Sequence, residues 1–394
     1  MVSMDSVELF GGCGGLGLGL ARAGFRSKAF IEWNDNAIDT VRENRRQGVE
    51  HIRDWRILHE DVRKANWTPY RGKLALVSGG PPCQPFGIGG KQTGHADARD
   101  MWPTAIRVVR EARPDAFLFE NVRNLAGPKF RTYLSWIEHS LRHVSDVARV
   151  GESHLQHLER LIESTPEADY RTSVSVVNAA DFGAPQERYR VLIAGLRSDL
   201  KREPGHPTAT HSRDGLLWDQ WVTGDYWRRH GFEMPDDNHV PKMYRATVER
   251  LRTMSKPNGL PWVTLRDAIA DLGEPDGMNN HTYQPGARSY PGHTGSPLDW
   301  PAKALKAGDH GVPGGENMIR FDDGSVRYLT IRESARLVGL PDSYTFVRSW
   351  TESMRCLGNA VPVQLAEAAG LWLAGKLNQR RSYSTPRKTR RKAA

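Results

Sequence analysis

Val7-Glu8-Leu9-Phe10-Gly11-Gly12-Cys13-Gly14-Gly15-Leu16-Gly17-Leu18 is the stretch that decides the fold. Val7 to Phe10 reads as a buried strand, the glycines end it, and Leu18, Leu20 and Ala21 carry a helix that stops at Gly24. Gly12, Gly14 and Gly17 stand at the G-x-G-x-x-G spacing, where missing Cβ atoms let a ligand approach the backbone closely. A second strand, Ala29-Phe30-Ile31, ends in Glu32, where a carboxylate meets ribose hydroxyls. Strand, glycine turn and acid point to an adenosine-type cofactor; a dinucleotide and S-adenosylmethionine both satisfy them.

Further along, the pattern repeats. Asp61 follows a third short strand, Leu74-Ala75-Leu76-Val77 forms a fourth, and Asp115 to Phe119 a fifth that runs into Glu120-Asn121-Val122. In an open parallel sheet the carboxyl ends of the strands line the ligand crevice, so Glu32, Cys83 and Glu120 can converge there. Cys83 sits in Gly79-Gly80-Pro81-Pro82-Cys83-Gln84-Pro85-Phe86. The prolines fix much of that backbone, so its thiol enters a reaction with little positional freedom left to lose, as covalent catalysis requires. A buried structural cysteine is the bland alternative. Two more strands, Ser173–Val177 and Val191–Ala194, flank Gln186-Glu187-Arg188-Tyr189-Arg190, whose arginines share a face at two-residue spacing.

With 394 residues, 38% hydrophobic and 26% charged, the chain has the composition of a soluble protein of about two domains. No apolar run is long enough to span a bilayer and the N-terminus lacks a signal-peptide core, so the expected location is cytoplasmic. Three cysteines form no metal-type pair, and the scattered histidines lack ligand spacing, so no metal is expected. The net charge of +9 favours a polyanionic partner. From about Lys201 to Asp323 the composition turns rich in Gly, Pro, His and Trp, which marks a second, loop-rich domain with its best helix over Val263–Leu272. Helices follow at Thr330–Leu337 and from Val361 to about Leu377, and the basic tail is expected to be disordered.

These segments together resemble the cytosine-5 DNA methyltransferase family, of the bacterial restriction-modification type. ELFGGCGGLGLGLARAGF is similar to that family's cofactor loop, GGPPCQPFGIGG to its nucleophile loop, ENV to its catalytic acid and QERYR to its paired arginines. RYLTIRESARLVGLPDSY and GNAVPVQLAEAAG are similar to its closing segments. The resemblance implies an α/β fold, a doubly wound, mostly parallel sheet of the S-adenosylmethionine-dependent type. It implies a catalytic domain at 1–197, a target-recognition domain at 198–323, a return segment at 324–378 and a tail at 379–394. Carried over by position, Cys83 is the nucleophile, Glu120 the acid on ring nitrogen 3, and Arg188 and Arg190 the arginines of the active-site wall. Phe10, Gly12, Gly14, Glu32, Trp33, Asp61, Val62, Pro82, Asn359 and Val361 would contact S-adenosylmethionine. Glu8 replaces the family's usual aspartate, and Asp97-Ala98-Arg99-Asp100-Met101-Trp102 departs from its usual loop.

The implied activity is transfer of a methyl group to carbon 5 of a flipped-out cytosine in a specific duplex DNA sequence, by a monomer that pairs with a cognate restriction endonuclease or acts without one. A tRNA cytosine-5 methyltransferase is the alternative, against which the insertion of roughly 120 residues speaks. A non-catalytic regulator would lack Cys83 or Glu120, and an NAD-dependent oxidoreductase shares the glycine loop alone.

Overall fold

The computed structural model describes residues 4–82, 100–165, 167–307 and 317–378. Its largest element is a seven-stranded sheet built from β1 (Asp5–Leu9), β2 (Arg26–Glu32), β3 (Ile57–His59), β4 (Leu76–Gly79), β5 (Ala116–Val122), β6 (Tyr170–Asn178) and β8 (Tyr189–Arg197), with the two-residue β7 (Gln186–Glu187) outside it. The strand order is β3-β2-β1-β4-β5-β8-β6, and only β8 runs against its neighbours. The order reverses between β1 and β4, and the crevice of a doubly wound sheet opens at such a point, beyond the strand ends.

Alternation along the central strands gives each face its own core. Phe117 and Phe119 meet Trp102 of α3 (Trp102–Ala112) and Tyr133 and Trp136 of α4 (Arg131–Arg142) on one side. Ala116 and Leu118 meet Leu16 and Leu20 of α1 (Gly15–Arg22) and Leu365, Ala369 and Leu373 of α12 (Val363–Asn378) on the other. The chain thus returns at its end to the sheet that it began. α12 starts two residues later than Val361 because Pro362 precedes it, and the residue before a proline avoids the helical region. The helix α2 (Asp35–Arg46) follows β2, and α5 (His154–Ser164) packs beside α4.

The segment after β8 holds short elements. These are β9 (His211–Ser212), α6 (Arg213–Trp221), α7 (Asp225–Arg229), α8 (Arg245–Arg252), β10 (Leu260–Pro261), α9 (Leu265–Ile269), β11 (Ser296–Pro297), β12 (Ala302–Lys303), β13 (Met318–Arg320) and β14 (Val326–Tyr328). Leu216, Leu217, Trp221, Tyr226, Trp227, Val248, Leu251 and Trp262 form a separate apolar cluster within it. The helix expected over Val263–Leu272 is shorter: Thr264 caps it through a capping box with Asp267, and it tightens to a 3-10 turn at Ala270. Its apolar residues Leu265 and Ile269 pack with Leu337 and Val338 of α10 (Ile331–Val338) rather than facing a groove. Arg266 is held by Asp299 and Asp322. Among the described residues no helix is long and apolar enough to cross a membrane, and no group of three His, Cys, Asp or Glu residues could hold a metal ion.

Candidate active site

The glycine turn leaves β1 through Phe10, whose φ of 56° lies in the left-handed region that residues with a Cβ rarely occupy. Strain of this kind persists only where the surroundings impose it. Gly11 N–H donates to Ile31 O at 3.0 Å, which fastens the turn to β2. Gly14 caps α1 at φ 82°, and a Cβ on Gly17 would fall 2.1 Å from Glu8 Oε2. Glu8 therefore lies directly under the first turn of α1. Burial pushes its carboxyl from 4.5 up to about 8, with Glu32 adding to the rise and the Gly17 N–H opposing it.

Glu32 is the organiser of the turn. Its Oε2 accepts from Gly12 N–H at 2.8 Å, and its Oε1 accepts from the N–H groups of Trp33 and Asn34, each at 2.8 Å. Trp33 is 65% exposed, its ring open to a ligand. Asp61, just beyond β3, is gripped by the guanidinium of Arg63, which donates to both carboxylate oxygens and lowers its affinity for protons. Val62 beside it is buried in the sheet's core, so its side chain serves packing. Val361 O would lie 2.3 Å from a Cβ on Gly15, so the segment that opens α12 closes onto the glycine turn. Asn359, at the end of α11 (Trp350–Asn359), is exposed.

At the end of β5, Arg190 faces Val122 in register, so its side chain lies diagonally across from Glu120 on the same face. Arg190 Nε and Glu120 Oε1 are 2.5 Å apart, with both side chains nearly buried. A Cβ on Gly80 would come within 3.4 Å of Glu120 Oε2, so the backbone leading toward Pro82 passes beside this pair. Cys83 itself, the loop at Asp97 and Arg99, and the tail lie outside the described residues. The other two cysteines are poor nucleophiles: burial pushes the Cys356 thiol up to about 12 and that of Cys13 well above its ordinary value.

The paired arginines, expected to act together, have different surroundings. Arg188 is 1% exposed and donates to Leu305 O at 3.1 Å and Gly358 O at 2.5 Å. It ties the sheet to the segment before Asn359, while Arg190 alone pairs with the acid. Sequence reasoning also missed Asn121, whose Nδ2 donates to Pro81 O at 3.0 Å and fixes the start of the cysteine loop. Its place next to Glu120 was the available signal. Asp100, one of the residues at which the loop departs from the family's usual pattern, accepts from the Tyr133 hydroxyl and, at 3.0 Å, from Trp102 N–H.

Arg190, paired with Glu120, borders a cleft of about 1810 Å³ between the sheet edge and the segment after it. Arg190, Arg123, Asn359, Trp300, Lys303 and Arg320 are among its lining residues.

The family model for C-5 cytosine-specific DNA methylases matches residues 4–145 and 147–371. Type II methyltransferase M.NgoMIV of Neisseria gonorrhoeae is 30% identical over 373 residues, 94% of this chain and 96% of its own. Type II methyltransferase M.PspPI of a Psychrobacter strain is 30% identical over 389 residues, 95% of this chain and 80% of its own. Among solved structures, that of a prophage-encoded E. coli protein described as a DNA modification methyltransferase aligns with a TM-score of 0.56 at 20% identity, covering 95% of this chain and all of its own, a likeness in fold. The strand order, the strand-end acids and a match along almost the whole sequence lead to one conclusion: the chain belongs to the C-5 cytosine-specific DNA methylase family.

Proposed function

We propose that this DNA cytosine-5 methyltransferase uses S-adenosylmethionine and acts through Cys83, Glu120 and Arg190 on a cytosine swung out of a specific duplex sequence. The observation that carries the reading is the Glu120–Arg190 pair beside Gly80, at the border of a cleft large enough for a nucleic-acid segment.

The residues of the glycine turn fit the cofactor. A Cβ on Gly12 would meet no atom within 4 Å, so its backbone is open to a ligand, and the exposed Trp33 ring offers a face for a planar base. Glu32, with three of its roughly four acceptor positions filled, retains one for a ribose hydroxyl. Asn359 and Val361 would close the methionine end. Bound there, S-adenosylmethionine supplies an electrophilic methyl group.

The protein's own task is to make carbon 5 of cytosine nucleophilic. Cys83, as thiolate, forms a bond to carbon 6, and the displaced electron pair moves into the ring toward carbon 5. Glu120 shares a proton with ring nitrogen 3 and so lowers the cost of that charge, while the Arg190 guanidinium beside it can hold the exocyclic oxygen. Once carbon 5 is methylated, loss of its proton returns the electron pair and breaks the carbon 6 to sulfur bond. Carbon 6 is stacked in a duplex, so the nucleotide must first leave the helix at a cost of a few kcal/mol. Residues 198–323, read as the target-recognition domain, would supply that energy through contacts in the cleft. Arg188 is a positioning residue in this scheme, not a catalytic one.

A duplex carrying 5-fluorocytosine at the target tests the nucleophile. Fluorine cannot leave as a proton does, so the Cys83 thioether should persist through denaturing electrophoresis, only when S-adenosylmethionine is present. Cys83→Ser should abolish it, because a hydroxyl is far less ionised near neutral pH. A resistant complex formed by the serine variant, or one whose crosslinked peptide contains Cys13 or Cys356, would overturn the assignment.

A further inference from the structure

Most charges that line the cleft already have protein partners. Arg190 pairs with Glu120, Arg266 pairs with Asp299 and Asp322, and the Glu187 carboxylate accepts the Trp300 indole N–H at 2.5 Å. Arg320 differs. It is exposed, it lines the cleft, and no described residue engages its guanidinium.

Its backbone is nevertheless firmly fixed. Arg320 ends β13, the middle strand of the three-stranded sheet β11-β13-β14, in register with Pro297 on one side and Val326 on the other. Met318 and Ile319, just before it, are 2% and 0% exposed. A long cationic side chain on a rigid strand keeps its planar fork free for a ligand, which is how a reading residue is mounted.

The lining around it is mixed in sign. Glu233 and Asp322, the latter paired with Arg266, are exposed acids that stand among the cleft's cations Arg123, Lys303 and Lys306, so the lining is not a uniformly cationic phosphate track. An interleaved pattern of acceptors and donors suits base edges instead, where acids meet amino groups and arginine meets guanine. Resting on the reading of the cleft as the DNA face, we propose that Arg320 determines specificity by donating two hydrogen bonds to O6 and N7 of one guanine in the target sequence.

The test uses the full chain, S-adenosylmethionine and a library of duplexes randomised around cytosine, read by bisulfite sequencing. Wild-type protein should show a guanine preference that Arg320→Ala reduces by about 5- to 150-fold at one position, with the other positions unchanged. Arg320→Lys keeps the charge but not the fork and should relax the same position. 7-Deazaguanine there should slow the wild type and leave Arg320→Ala unaffected. A uniform loss of rate with a shallower salt dependence and every preference intact would mean a phosphate contact and overturn the proposal, as would no change at all. If the wild-type protein methylates no cytosine, the functional reading itself fails; a defined site whose preferences survive Arg320→Ala sinks this inference alone.

Discussion

Replacing Glu32 by alanine should lower both the stability of the protein and its affinity for S-adenosylmethionine, by separable amounts. The Glu32 side chain accepts three N–H groups at 2.8 Å and is 7% exposed. Hydrogen bonds to a charged group contribute about 1.5–3 kcal/mol each. Trp33 and Asn34 are exposed, so water can reach their freed N–H groups, whereas Gly12 is half-buried and loses its partner more completely. The expected destabilisation is therefore about 2–4 kcal/mol, below the roughly 4.5 kcal/mol minimum for three such bonds because water replaces two of them, measured by urea denaturation. The remaining acceptor position, offered to a ribose hydroxyl, contributes about 1.5–3 kcal/mol to binding. Its loss should raise the calorimetric Kd for S-adenosylmethionine by about 10- to 150-fold, with DNA binding little changed. Glu32→Gln should retain the bonds to Trp33 and Asn34 while turning an amide NH₂ toward Gly12 N–H, and so fall between. An unchanged urea midpoint in Glu32→Ala would refute the anchoring of the turn; an unchanged Kd would refute the ribose contact.

Glu8, with its carboxyl pushed up to about 8 against 4.5 when unfolded, holds its proton in the folded state across that window and has lost it in the unfolded one. Its contribution to stability is full below about 4.5 and lost as pH rises through about 8, so Glu8→Gln should flatten the fall in Tm between these values and raise Tm at pH 8. Parallel pH profiles of the two proteins would contradict this. Arg188→Ala, which removes a 1% exposed guanidinium from Leu305 O and Gly358 O, should destabilise by about 3–5 kcal/mol, and Arg188→Lys by less because it reaches one carbonyl. A loss below about 1 kcal/mol in urea for the alanine variant would show that the tie between the sheet and the segment before Asn359 is dispensable.

Much of this protein is written locally. Strand, glycine turn and helix at Val7–Gly24, the acid at the end of the second strand and the order of the later strands depend on period, on missing Cβ atoms and on spacing within a few tens of residues, and sequence carries all of these. The structure adds what distant segments do to each other. Arg188 and Arg190 have the same spacing and residue type, yet one is committed to Gly358, 170 positions away, and the other to Glu120 across β5 and β8. Asp61 reads as a free strand-end acid until Arg63 is seen gripping it. The helix at Val263–Leu272 reads longer than it is, because its apolar stripe signals burial without naming α10 as the surface that buries it. Local spacing fixes which way a side chain leaves the backbone; only the packed fold decides which partner reaches it first.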